Sequence, residues 1–254
     1  MGWLIIKHSF GLVFRNIGNA LKVSVGPIII ASALLYLTIL LTGFTPAWAA
    51  TSIMLGRLPV TLVAVAAMAM VVYLFVVTWI AVAWHKFILI EEYPGILPSL
   101  SISTIMVYIG KSFVIGILLL LALVPMLFVA GLVLGLLGLT ENAMASLVIG
   151  FVLGLLLTYL WLRLAMVLPG VAIGKSMSNR DAWNATAPMS DSIFGASAIL
   201  VAVNAAISFA ADYVLPTGLV YYAVIVAINW FTMMVGISLL TTLYGHLVEK
   251  RPLV

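Results

Sequence analysis

Two stretches carry the residue types of a phosphate-binding loop, Ile109-Gly110-Lys111-Ser112 and Ile173-Gly174-Lys175-Ser176. Such a loop cradles phosphates with backbone N–H groups and a lysine, and it needs another glycine five residues before the Gly-Lys pair. Those earlier positions hold Ile105 and Pro169, and no strand precedes either copy, so nucleotide binding is excluded. The three histidines, His8, His85 and His246, form no His-x-x-x-His or Glu-x-x-His pair. Neither metal nor haem ligation is expected of them. His85 reaches Glu91 or Glu92 only if the following loop folds back, and each histidine is expected at a wet interface. There is no cysteine, which removes disulfides, thiolate ligands and thiol nucleophiles, and no serine has a Gly-x-Ser-x-Gly context. No catalytic constellation and no cofactor site emerge, so the expectation is a protein that is not an enzyme.

The elements that would position any site are set by composition. Of 254 residues, 65% are hydrophobic and only 7% are charged, against roughly 25% charged in an ordinary soluble domain. Eighteen charges cannot cover a soluble fold of this length, so the expected class is an all-α polytopic integral membrane protein in a single transmembrane domain over 1–254. Nucleic acid is not among the expected partners; the lipid bilayer is. A spanning helix needs about 20 mainly apolar residues. Six runs qualify, near 25–43, 60–84, 112–138, 145–168, 193–214 and 219–243. Lipid offers no hydrogen-bond partners, so these runs must be helices. The first run, Gly26–Thr42, precedes Ala47-Trp48-Ala49 and so has the look of a cleavable signal. The long basic segment before it favours a retained span.

Basic residues between the spans set the orientation. Lys7, Arg15, Lys22, Lys86, Lys111, Arg163, Lys175, Arg180, Lys250 and Arg251 fall on one side, and Arg57 alone on the other. Both termini are therefore expected in the cytoplasm. Lys7, Arg15, Lys22, Lys86, Lys111, Arg163 and Lys175 are the candidate contacts to lipid headgroups. Within 1–23, Trp3, Ile6, Phe10, Val13, Ile17 and Leu21 recur every three or four residues. This periodicity predicts an amphipathic helix in the headgroup plane, followed by a six-helix bundle over 25–254.

The ends of the second, fourth and sixth spans read Trp84-His85-Lys86, Trp161-Leu162-Arg163 and Tyr244-Gly245-His246, 77 and 83 residues apart. An aromatic and a basic group suit a helix end at the headgroup layer, and the interval suggests three helical hairpins. Short turns at Thr140–Met144 and Pro216–Gly218 favour antiparallel neighbours. Gly131 and Gly135 in the third span, with Gly150 and Gly154 in the fourth, have the spacing that lets helices approach closely. Pro125 removes a backbone donor and predicts a kink.

Among polar residues at lipid depth are Thr78, Thr158, Asn204, Ser208 and Asn229. Asn204 and Asn229 lie at similar depth in adjacent spans. They are a candidate intramembrane pair, worth about 0.6–2 kcal/mol if hydrogen-bonded, or else part of a substrate site. No acidic residue lies at mid-depth, as a proton or cation path would need. Asp212 falls near an outer helix end and Glu141 in an outer turn. Two inner loops are candidate partner surfaces: His85–Ser101, with Glu91, Glu92, Tyr93 and Pro94, and Pro169–Asp191, with Arg180, Asp181 and Trp183. In the second, Asp181 is expected to start a short helix through Ala182–Thr186.

Phe14-Arg15-Asn16 leading to Pro27, then Arg163, Pro169 and Asp181-Ala182-Trp183, resembles a group of six-span bacterial inner-membrane proteins similar to the membrane domain of glycerophosphodiester phosphodiesterases. The likeness covers about a third of the chain. It implies a bacterial inner-membrane location and carries over no active-site residue. The function expected from all this is an accessory or scaffold component packed against other integral membrane proteins. The alternative is a transporter or carrier of a hydrophobic or lipid-like small molecule, suggested by the hairpin repeat and the proline in the third span.

Overall fold

A computed structural model describes residues 1–45, 50–51, 53–54, 59–214 and 218–253. Every described element is a helix: α1 (Gly2–Arg15), α2 (Ile17–Thr42), α3 (Val60–Ile90), α4 (Ile102–Leu136), α5 (Ala143–Leu164), α6 (Val167–Ala172), α7 (Asn179–Thr186), a 3-10 turn at Ala187–Met189, α8 (Ser190–Val214) and α9 (Leu219–Leu247). Six of these, α2, α3, α4, α5, α8 and α9, contain segments long and apolar enough to cross a membrane. Pro46, the Ala47-Trp48-Ala49 segment, Arg57 and Pro216 lie outside the described residues, as does the side chain of Asp212.

The chain divides into two compact units, Ile17–Ile109, and Met1–Asn16 together with Gly110–Val254. In the first, α2 packs along α3. The buried positions of α2 are Ala20, Val23, Ser24 and Pro27, one stripe at helical spacing. Residues 78–85 of α3 are buried on every side, whereas no residue of α3 before Val72 is.

In the second unit, α1 packs against α8 and α9, α5 against α7 and α8, and α6 against α9. Leu162, Met166, Val167, Met234, Leu239 and Leu243 form its centre. The turn Ala165–Ala172, expected from sequence to be the end of the fourth span and, from Pro169, the start of an inner loop, is among the most buried parts of the unit. Its six-residue helix α6 is wholly apolar. By contrast, no residue between Gly116 and Leu136 of α4, or between Ala143 and Trp161 of α5, is buried. In both units, burial gathers at the helix ends that carry the basic residues.

The segment expected as one amphipathic helix breaks at Asn16, which is neither in α1 nor in α2. Within α1, Ile5, Ile6, Ser9 and Val13 are buried. The Ser9 hydroxyl lies 3.0 Å from that of Thr242, and Phe10 and Phe14 meet Phe231 at 5.6 and 5.2 Å between ring centroids. Trp3, by contrast, is exposed.

The glycine spacing of α4 and α5 does not close a tight hairpin. A Cβ added at Gly131, Gly135 or Gly150 would meet nothing within 4 Å. An apolar cleft of about 420 Å³, lined by Pro125, Val133, Ile149 and Leu156, separates the two helices instead. The reason is that α5 has another partner: its packing face is taken by α8, where Gly154 faces Val201 at 3.7 Å from its would-be Cβ. Lipid tails are as apolar as leucine, so no hydrophobic force draws α4 in.

Packing requires a glycine at position 170, as it does at Gly2, where a Cβ would lie 2.7 Å from the Ser192 carbonyl oxygen. A Cβ at Gly170 would lie 2.5 Å from the Lys175 carbonyl oxygen and 3.1 Å from the Tyr244 ring. Gly170→Ala should therefore cost about 1–3 kcal/mol through overpacking and lower the thermal midpoint of detergent-purified protein. Gly131→Ala and Gly150→Ala, made into open space, should leave that midpoint unchanged or slightly higher.

Candidate functional site

The largest concentration of polar contacts in the second unit surrounds Arg163, at the basic end of α5. The side chain is 5% exposed. Its Nε donates to the Thr186 hydroxyl at 3.0 Å, Nη1 to the Tyr159 hydroxyl at 2.9 Å and Nη2 to the Trp183 carbonyl at 2.8 Å. The guanidinium also lies over the Trp183 ring, 3.5 Å from its centroid, a close cation–π stack. Tyr159 in turn shares a 2.5 Å hydrogen bond with Ser190. Among the described residues no carboxylate pairs with Arg163. Neutral oxygens and an aromatic face hold this buried cation.

Helix α7 exists because Ser178 caps it. Its hydroxyl accepts from the Asp181 N–H at 3.1 Å, and the Asp181 carboxylate accepts from the Ser178 N–H at 3.1 Å. This reciprocal box satisfies two otherwise unpaired donors. The expected short helix is present, but its cap is Ser178, with Asp181 in the first turn. The Ser-x-x-Asp spacing was the readable signal. The cap delivers Trp183 and Thr186 to Arg163, so two members of the sequence-predicted set, Arg163 and Trp183, come together here. Arg180 and Asp181 stay exposed.

In the first unit, the loop after α3 folds back. Glu91 adopts a left-handed φ of 57° at the helix end, a shape that favours glycine or asparagine. Glu92 pairs with Lys86 at 3.2 Å and accepts from the Ser99 hydroxyl. The Trp79 indole N–H donates to the Ser99 carbonyl at 3.3 Å. The hydroxyl of Ser99, and then the ammonium of Lys86, hold the Glu92 carboxyl below its ordinary value of 4.5, with partial burial opposing them. Tyr93 packs edge-on to Phe87, and Ile96 is 97% exposed. His85 is fully buried rather than wet, with its Nε2 3.2 Å from the Tyr108 hydroxyl. No motif joins those two residues, which are 23 apart.

The remaining candidates are dispersed. Lys7, Arg15, Lys22 and Lys175 are exposed, and Lys111 is half-buried. Lys175 lies 3.4 Å from Glu249, which also pairs with Arg251 at 2.7 Å. The expected Asn204–Asn229 bond does not form. Asn204 accepts from Thr232 at 3.4 Å, while Asn229 is exposed and donates to the Ile225 carbonyl. Thr232 stands three residues after Asn229, about one turn along α9, so a small error of register moved the partner. Among the described residues, no three histidine or acidic side chains gather as metal ligands would.

The fold thus defines an all-helical membrane protein with six candidate spans. No protein-family model, curated protein or solved structure matches the chain.

Two outcomes test these contacts. Arg163→Ala should cost about 2–3 kcal/mol, because hydrogen bonds to a charged group are lost and acceptors are left buried. Tryptic cleavage after Arg180 should then accelerate, and Arg163→Lys should recover little of the protection because it lacks the fork. For the loop, the folded-state carboxyl of Glu92 is depressed, so its contribution is present above the ordinary value of 4.5 and fades as pH falls through the lower folded value. Hydrogen exchange of residues 92–101 should speed up on that acid limb, with Glu92→Gln showing no such dependence.

Proposed function

We propose that this chain is a non-enzymatic accessory or scaffold component that packs against a larger membrane complex. The supporting observation is where the apolar surface lies. From Gly116 to Leu136, α4 buries nothing in its own chain and exposes Leu120, Leu121, Val124, Phe128 and Leu136. Such a helix suits either lipid or foreign helices. The loop at Tyr93–Leu100, with Ile96 and Leu97 exposed beside Pro94, supplies the specific part of the surface, and Arg180 with Trp183 supplies another.

In this reading both termini are cytoplasmic, following the bias of basic residues. The outward side of α1, with Trp3, Lys7 and Arg15 exposed, lies in the headgroup layer of a bacterial inner membrane. Kinship with the membrane domain of glycerophosphodiester phosphodiesterases belongs to the same proposal and rests on the residues that carry the resemblance.

Tagged protein extracted from native membranes in mild detergent should bring down other membrane subunits in fixed ratio. Combined substitution of Tyr93, Ile96 and Leu97 by serine, or Arg180→Ala, should release them while insertion is unchanged. A protein that elutes alone, with no loss on either substitution, would show that these loops carry no partner.

A further inference from the structure

The face between α5 and α8 is a groove of about 990 Å³, at the upper end of the size range of small-molecule sites. Its walls are built differently from the rest of the apolar surface. Gly150 and Ala205 make room, and Ser146, Thr158, Asn204 and Ser208 line it, with no charged side chain among the lining residues. The contacts of Gly154 with Val201 and of Tyr159 with Ser190 make the two helices antiparallel. Ser146 and Ser208 therefore come level at one end, Asn204 stands opposite Gly150, and Thr158 is nearest Arg163. The polar line extends over roughly 18 Å at 1.5 Å per residue.

The hydroxyls in this groove differ from several of those packed elsewhere in the chain. Ser9, Ser24, Thr186, Ser197 and Thr241 each donate to a carbonyl one turn back, the usual way for a helix to satisfy such a group. Ser146, Thr158 and Ser208 make no side-chain hydrogen bond to any described residue and face the groove. The Asn204 oxygen is engaged by Thr232 and one of its N–H groups by Leu200, which leaves the second N–H. At Thr158, Asn204 and Ser208 the groove thus offers donors at a depth where lipid tails provide no acceptor, while Ser146, near the start of α5, stands at its mouth. Ester or ketone carbonyls on a neutral amphiphile match, and the missing charge on the walls disfavours an ionic headgroup.

We propose that the α5–α8 groove binds an uncharged, carbonyl-bearing lipid of the diacylglycerol class. The site stands whether the chain works alone or within a complex.

The test uses the full chain in phosphatidylcholine nanodiscs doped with a diacylglycerol carrying a photoactivatable acyl chain. After illumination, adducts should concentrate on peptides covering 143–158 and 200–208. Asn204→Leu and Thr158→Val should each reduce labelling by about fivefold, the loss expected for one hydrogen bond. Gly150→Leu, which fills the groove, should abolish it, and Asn229→Leu, outside the groove, should leave it intact. Unlabelled diacylglycerol should compete and phosphatidylglycerol should not. Labelling spread evenly over all apolar helices, labelling unaffected by the groove variants, or equal competition by phosphatidylglycerol would each overturn the proposal. So would a second transmembrane chain cross-linked into the groove in place of lipid.

Discussion

A guanidinium buried without a carboxylate must be held by several weaker attractions acting together. At Arg163 these are three oxygen acceptors and the face of Trp183, contributed by α5 itself and by α7, with Ser190 of α8 hydrogen-bonded to the Tyr159 hydroxyl. The geometry is possible only because the guanidinium is a flat fork that stacks and donates at once. This contact fixes the end of α5, the seat of α7 and the start of α8. The packed turn Ala165–Ala172 follows directly from that anchored end. The packing of α1 on α8 and α9 is a second, separate source of order in the unit.

The constraint explains where the burial lies. Apolar side chains in a bilayer gain nothing from leaving lipid for one another, so tight packing forms where polar groups must be matched. His85 and Tyr108 lie in the dense region of one unit, and Arg163 and Thr186 in that of the other, beside an apolar centre. The remaining lengths of helix stay open. The same rule accounts for the cleft between α4 and α5: glycines permit close approach but do not cause it.

Much of this was legible in the sequence, and the misses have definite causes. The six apolar runs match the six long helices because length and hydropathy alone decide them. The basic bias marked the ends at which burial gathers. The fold-back of the loop after α3 was not legible, since it depends on Ser99 and Trp79 meeting twenty residues apart. Arg163 was expected among the exposed basic residues because charge predicts exposure; only the Ser178–Asp181 cap, which brings Trp183 and Thr186 to it, turns that expectation round. The Asn204 partner was missed by one helical turn, since span boundaries read from hydropathy are uncertain by about that much. The hydroxyls of the α5–α8 groove could be counted in the sequence, but their lack of partners appears only in three dimensions.

The length of α4 has a consequence of its own. Its uncharged stretch, Phe113–Leu136, measures about 36 Å at 1.5 Å per residue, against a hydrocarbon core of about 30 Å. A helix of that length, unburied from Gly116 onward, meets hydrophobic mismatch, which it relieves by leaning or by thickening the surrounding lipid. Because few contacts with its own chain fix its angle, bilayer thickness can set its tilt. The cleft beside Pro125 and Val133 would then widen or narrow with the lipid composition around it, making membrane thickness a variable that this helix registers.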